Sequence, residues 1–165
     1  MDITENDLFV LAQSLGQQLK LAGWSLATAE SCTGGWVAKV LTDVEGSSAW
    51  FDRGFVTYTN ESKHEMLGVS ATTLSTHGAV SEDTVLEMAR GAIAHSHADL
   101  SLAISGIAGP GGGSLEKPVG TVCLAWANRD GWLESRREIF PGDRQAVRMQ
   151  AVFTALQGMQ NKVAG

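Results

Sequence analysis

The sequence predicts an α/β fold: a three-layer α/β/α sandwich on a mixed, mostly parallel sheet. Three observations lead there. Segments of helical periodicity alternate with short apolar runs along most of the chain. Near the end, two strand-like runs flank Asn128-Arg129-Asp130-Gly131, a hairpin signal that makes the sheet mixed. Finally, 165 residues, 44% hydrophobic and 18% charged, suffice for one domain over 1–165 with a sizeable core.

The elements follow in order. Leu8, Leu11, Leu15 and Leu19 recur at helical spacing before Gly23, which predicts a helix over Glu5 to Ala22. Trp24 to Ala29 reads as a strand. Thr33 to Leu41 reads as a helix with Val37, Val40 and Leu41 on one face. Trp50 to Thr59 reads as a strand carrying Phe51, Phe55 and Val56, and Asn60 as the cap of a short helix through Met66. Ser70 caps a helix stopping at Gly78. Ser81 caps another, with Glu82 and Asp83 in its first turn, where the helix dipole favours acids. Leu100 to Ile104, Val119 to Ala127 and Trp132 to Ile139 are the remaining strands. Asp143 caps the last helix, whose apolar stripe is Val152, Ala155, Leu156 and Met159.

A net charge of −6 argues against a general nucleic-acid binder, although Arg136-Arg137 and Arg144/Arg148 form local basic spots. The two cysteines, Cys32 and Cys123, make neither a disulfide framework nor a CxxC metal site. His95-Ser96-His97 lacks the i, i+4 spacing of a helical ligand pair. No signal peptide and no membrane-length apolar run are visible, so a cytoplasmic protein with no membrane partner is expected.

Three loops carry candidate chemistry, and in such a sheet loops at one strand end converge into a crevice. Glu30 to Gly35 places Ser31 between a strand and a helix. That position suits a nucleophile, and it equally suits a helix cap. Cys32 rivals Ser31 but reads better as a small buried thiol. Tyr58 to Lys63 holds the only tyrosine and a lysine in the first turn of a helix, where the dipole makes an ammonium easier to deprotonate. A neutral lysine can serve a serine as general base, whereas an isolated lysine is ordinarily just solvated. Ser105 to Ser114 is neither a Walker loop nor a Rossmann turn. Its backbone amides suit a phosphate or an oxyanion; a flexible connection is the other reading.

Six segments together resemble the C-terminal domain of the CinA family. They are Thr28-Ala29-Glu30-Ser31-Cys32-Thr33-Gly34-Gly35, Gly54-Phe55-Val56-Thr57-Tyr58, Gly78-Ala79-Val80-Ser81, Ser105-Gly106-Ile107-Ala108-Gly109-Pro110, Lys117-Pro118-Val119-Gly120-Thr121-Val122 and Phe140-Pro141-Gly142-Asp143-Arg144. They span nearly the whole chain in order. The chain begins directly with the first helix, which implies the stand-alone form. The resemblance implies the α/β/α fold and a homodimer. It also implies hydrolysis of the carboxamide of nicotinamide mononucleotide, with Ser31 as nucleophile, Lys63 as its base and Tyr58 in the site.

On that reading no metal and no cofactor is required. Tyr58 orients Lys63 or relays a proton. Backbone amides near Cys32-Thr33 or Ser105-Gly106 hold the oxyanion. Substrate contacts are expected from Glu30, Cys32, Thr33, Gly34, Ser105, Gly106, Gly109, Gly111 and Gly112, with Arg144 and the glycine-rich loop at the phosphate. The alternative is a non-catalytic nucleotide sensor in the same crevice, which would need no nucleophile–base pair.

Overall fold

The computed structural model describes residues 2–165. Its elements run α1 (Glu5–Ala22), β1 (Leu26–Glu30), α2 (Trp36–Thr42), a 3-10 turn (Ser47–Ala49), β2 (Phe51–Val56), α3 (Asn60–Leu67), α4 (Ala71–His77), α5 (Glu82–Ala94), β3 (Leu100–Gly106), β4 (Thr121–Asn128), β5 (Leu133–Ile139) and α6 (Arg144–Ala164). The strand order is β2-β1-β3-β4-β5. The β1 strand pairs in parallel with β2 and β3, while β4 pairs antiparallel with β3 and β5. Only β4 therefore runs against the others, and the expected mixed, mostly parallel sheet is met.

Period-two alternation along the strands sorts the core into two layers. Leu26, Leu100, Leu102, Ile104, Val122, Leu124 and Trp126 face α1, α2 and α6. Ala27, Ala29, Ala103, Ala125 and Ala127 face the other way, toward α3 and α5. Large side chains thus fill one face, and small ones let α5 sit close on the other. One helix–helix approach is closer still. A Cβ on Gly91 of α5 would lie 2.0 Å from the Leu67 carbonyl oxygen at the end of α3, so only glycine admits α3 there.

Several boundaries differ from the sequence expectation, each for a local reason. The first strand starts at Leu26 rather than Trp24, because Gly23 closes α1 at φ 72° and the Trp24 N–H still bonds back to Leu19. The second helix starts at Trp36 rather than Thr33, because Gly34 and Gly35 have φ of 62° and 101° and cannot be helical. The cap of α3 is Thr59, not Asn60: Thr59 and Ser62 exchange side-chain and backbone hydrogen bonds as a capping box. The strand β2 consequently ends at Val56, and Thr57 to Thr59 become the turn that feeds α3. The β3 strand runs on to Gly106, and β4 starts only at Thr121. Ser70, Ser81 and Asp143 cap α4, α5 and α6 as expected. Among the described residues no helix is long and apolar enough to cross a membrane.

The tight α3–α5 contact yields a prediction. Gly91→Ala should destabilise the protein by about 1–3 kcal/mol through overpacking, read as a lowered melting temperature. An unchanged melting temperature would show that α3 shifts without cost.

Candidate active site

The site is built where β1 ends. Alternation along β1 sends Glu30 to the α2 face and Ser31 to the α3 face. Glu30 is buried, and its carboxylate accepts three hydrogen bonds: from the Thr33 hydroxyl at 2.6 Å, the Val37 N–H at 2.9 Å and the Ala38 N–H at 3.1 Å. It plugs the N-terminus of α2 and braces the turn of residues 31–35. Its oxygens are thus engaged by the protein itself. It also removes the α2 N-terminus as an anion site, because those amides already hold a carboxylate.

Ser31 continues the strand pairing through its N–H to the Ile104 carbonyl at 3.0 Å. Its hydroxyl therefore hangs from the sheet rather than from a mobile loop. Lys63, on the first turn of α3, reaches it from the opposite layer. Lys63 is 1% exposed, and its Nζ lies 2.9 Å from Ser31 Oγ, 2.9 Å from the Thr57 carbonyl and 3.2 Å from the Tyr58 carbonyl. Three acceptors and no carboxylate surround this amine. Burial pushes the Lys63 pKa below the ordinary lysine range, with no neighbouring carboxylate to restore it. In its neutral form such an amine can donate to the two carbonyls and accept from the Ser31 hydroxyl. The Ser31 hydroxyl is also 3.4 Å from the Tyr58 carbonyl, a weaker second partner.

Cys32 next door is a buried thiol whose pKa is pushed up to about 11, with burial the largest cause. It is therefore a protonated thiol at neutral pH.

Tyr58 acts on Lys63 through its carbonyl. Its phenol is 61% exposed and turns away, to within 3.4 Å of Arg144 Nη2. The Tyr58 group hydrogen-bonded to the amine is therefore its carbonyl, while the phenol faces Arg144. Arg144 also donates through Nη1 to the Gly109 carbonyl at 2.9 Å, tying α6 to the glycine-rich loop. Beside it lies a cleft of about 660 Å³. Ala108, Pro110 and Val119 line the cleft together with the first turns of α6, from Gly142 to Gln145 and Arg148. A volume of this order suits a nucleotide-sized ligand.

The remaining expected residues divide. Ser105 is buried on β3, opposite Cys123. Gly106 is packed too tightly against Val122 and the Thr121 carbonyl to admit a side chain. Gly111 and Gly112 are exposed on the loop that carries Pro110 of the cleft lining. Gly34 shapes the turn of 31–35. The sequence reading missed Arg148 as a site residue. It lines the cleft and donates to the carbonyls of Cys32 and Thr33. Its spacing of four from Arg144, on one helix face, is the signal that was available. No cluster of potential metal ligands occurs among the described residues.

These features define an α/β protein with a buried serine–lysine couple beside an arginine-lined cleft. The sequence pattern of the CinA C-terminal domain matches residues 9–163, and the chain belongs to that family. It is 59% identical over 155 residues to a protein of Escherichia coli K12 named nicotinamide-nucleotide amidohydrolase PncC, covering 94% of each chain. A Pseudomonas putida protein of the same name is 50% identical over 149 residues, covering 90% of this chain and 92% of that one. The crystal structure of a competence/damage inducible protein from Agrobacterium tumefaciens superposes with a TM-score of 0.94 at 46% identity, covering all of both chains.

Burial of Lys63 gives a pH signature in stability. The unfolded chain binds a proton at Lys63 below about pH 10.4, whereas the folded state resists it. Stability should therefore rise with pH up to that value. The melting temperature of Lys63→Met relative to the unsubstituted protein should accordingly be highest at lower pH and fall as pH approaches about 10. A difference that is flat with pH would mean that Lys63 is not desolvated.

Proposed function

We propose that this protein hydrolyses the carboxamide of nicotinamide mononucleotide to nicotinic acid mononucleotide and ammonia. The observation that carries the reading is the 2.9 Å approach of a buried, unpaired lysine amine to Ser31 Oγ. Relatives named for this reaction support the choice of substrate.

The chemistry follows from the geometry. Neutral Lys63 takes the Ser31 proton as Oγ attacks the amide carbon. The carbonyl oxygen becomes an oxyanion, held by backbone N–H groups of the Cys32-Thr33 turn. Lys63 returns the proton to the amide nitrogen, ammonia leaves, and an acyl ester remains on Ser31. Water then attacks the ester carbon, giving a proton to Lys63. Collapse releases the carboxylate and restores the Ser31 hydroxyl with that proton. The two carbonyls at Lys63 keep the amine aimed through both halves. The substrate phosphate lies in the cleft, with Arg144 as its charged partner and the amides of Gly109 to Gly113 as further donors. A cytoplasmic homodimer, as the family likeness implies, belongs to the same proposal.

Ammonia release from nicotinamide mononucleotide tests the reading. Ser31→Ala and Lys63→Arg should lose essentially all turnover, since a guanidinium is no base near neutrality. Cys32→Ser should keep most of it. In the unsubstituted protein kcat/KM should rise with pH through an ionisation below the ordinary lysine range. Undiminished activity in Ser31→Ala, or a working Lys63→Arg, would overturn the mechanism. A protein that binds the nucleotide and never releases ammonia would be a sensor instead.

The phosphate assignment has its own test. Charge-assisted hydrogen bonds contribute roughly 1.5–3 kcal/mol, so Arg144→Ala should weaken the mononucleotide about tenfold to a hundredfold. The phosphate-free riboside should be little affected. Equal losses on both would place Arg144 outside the phosphate site.

A further inference from the structure

Arg148 reaches the nucleophile turn from the layer opposite Lys63. Its Nε donates to the Cys32 carbonyl at 3.0 Å and its Nη2 to the Thr33 carbonyl at 3.3 Å. The guanidinium also stacks on Trp36, with its carbon 5.5 Å from the ring centroid. It has no carboxylate within ion-pairing distance among the described residues. A guanidinium held only by two successive peptide carbonyls and an aromatic face fixes the planes of those peptides.

Fixing a carbonyl fixes the N–H of the same unit. The Cys32 carbonyl shares its peptide with the Thr33 N–H, and in a trans peptide the two point in opposite directions. Arg148 belongs to the α6 layer, so the Thr33 N–H is turned away from that layer and toward the side from which Lys63 enters. Thr33 is fully buried, yet its N–H has no backbone acceptor among the described residues. Buried N–H groups without partners are rare in folded proteins. The next peptide behaves differently: the Gly34 N–H bonds to the Ser31 carbonyl at 3.0 Å and closes the turn. One N–H two residues after the nucleophile is therefore oriented, buried and unengaged.

We propose that Arg148 is a positioning residue that aims the Thr33 N–H at the oxyanion formed on attack by Ser31. This rests on the amidase reading above and deepens it. Arg148 touches neither substrate nor the reacting atoms in this role. It polarises the peptide unit through the Cys32 carbonyl and holds the donor ready, so that no reorganisation is needed as negative charge develops. An arginine serves where a lysine would not, because two carbonyls are held by one planar fork.

The test uses Arg148→Met, which keeps an unbranched stem against Trp36, and Arg148→Lys, which keeps the charge without the fork. On nicotinamide mononucleotide both should lower kcat about tenfold to a hundredfold with KM within a few-fold. The pH of half-maximal kcat/KM should stay where it is, because Lys63 is untouched. A loss confined to KM and spared by Arg148→Lys would overturn the proposal, making Arg148 a substrate phosphate ligand. A shifted pH profile would overturn it too.

A second probe is independent of the natural substrate. In 3-pyridylboronic acid, boron accepts the Ser31 oxygen as a fourth bond while Lys63 takes the proton. The tetrahedral adduct places a boron-bound oxygen where the oxyanion would lie. Boron NMR titration should show both variants binding this probe about tenfold to a hundredfold more weakly. If the unsubstituted protein releases no ammonia, the amidase reading fails while this titration still decides the role of Arg148. Equal boronate affinity in protein and variants, or no adduct at all, would overturn it.

Discussion

The constraint on which the rest of the structure depends is a lysine amine taken out of water with no carboxylate beside it. Lys63 is 1% exposed and faces two carbonyls and a serine hydroxyl. An ammonium so placed loses hydration without gaining an opposite charge, so the neutral amine is favoured. That cost is tolerable only if the surroundings hold α3 in place. The Thr59–Ser62 capping box fixes where α3 begins. Gly91 admits its far end against α5. The strand pairing of Ser31 with Ile104 fixes the acceptor.

Around this couple the two helical layers have separate tasks. The α3 side delivers Lys63. The α2 and α6 side shapes the turn that follows Ser31, with Glu30 engaging the α2 amides and Arg148 engaging the turn's carbonyls. The buried carboxylate is a strong anchor because all three of its donors come from the segment it organises. It leaves the cleft to be made cationic by α6, whose first turn carries Arg144. An acidic chain thereby presents a local basic site, which is what an anionic nucleotide would need.

Much of this was legible in the sequence because it is local. Helical periodicity located α1 and α6, and the serine and aspartate caps located the starts of α4, α5 and α6. The hairpin signal at Asn128 to Gly131 located the antiparallel end of the sheet. Ser31 and Lys63 could be singled out by their places at element ends. What was not legible depends on pairs distant in the chain or on one residue's choice among partners. Glu30 could equally have faced a ligand; strand phase, fixed only by packing, turned it to α2. Tyr58 was noticed for its phenol, but the group at Lys63 is its carbonyl, which any residue supplies. Asn60 and Thr59 are both competent caps, and the capping box with Ser62 decided between them. Arg148 acts across more than a hundred residues of sequence, and nothing local announces its two carbonyl partners.

The most direct measurement of the central claim is the ionisation of Lys63 itself. The chain carries selectively labelled lysine, the Lys63 side-chain resonance is assigned by its loss in Lys63→Met, and its chemical shift is followed with pH in the folded protein. A midpoint clearly below the roughly 10.4 of free lysine is expected. Ser31, the partner of the neutral form, should sense the same step. A midpoint at or above the free value would contradict it, because a lysine that stays charged cannot accept the proton of Ser31.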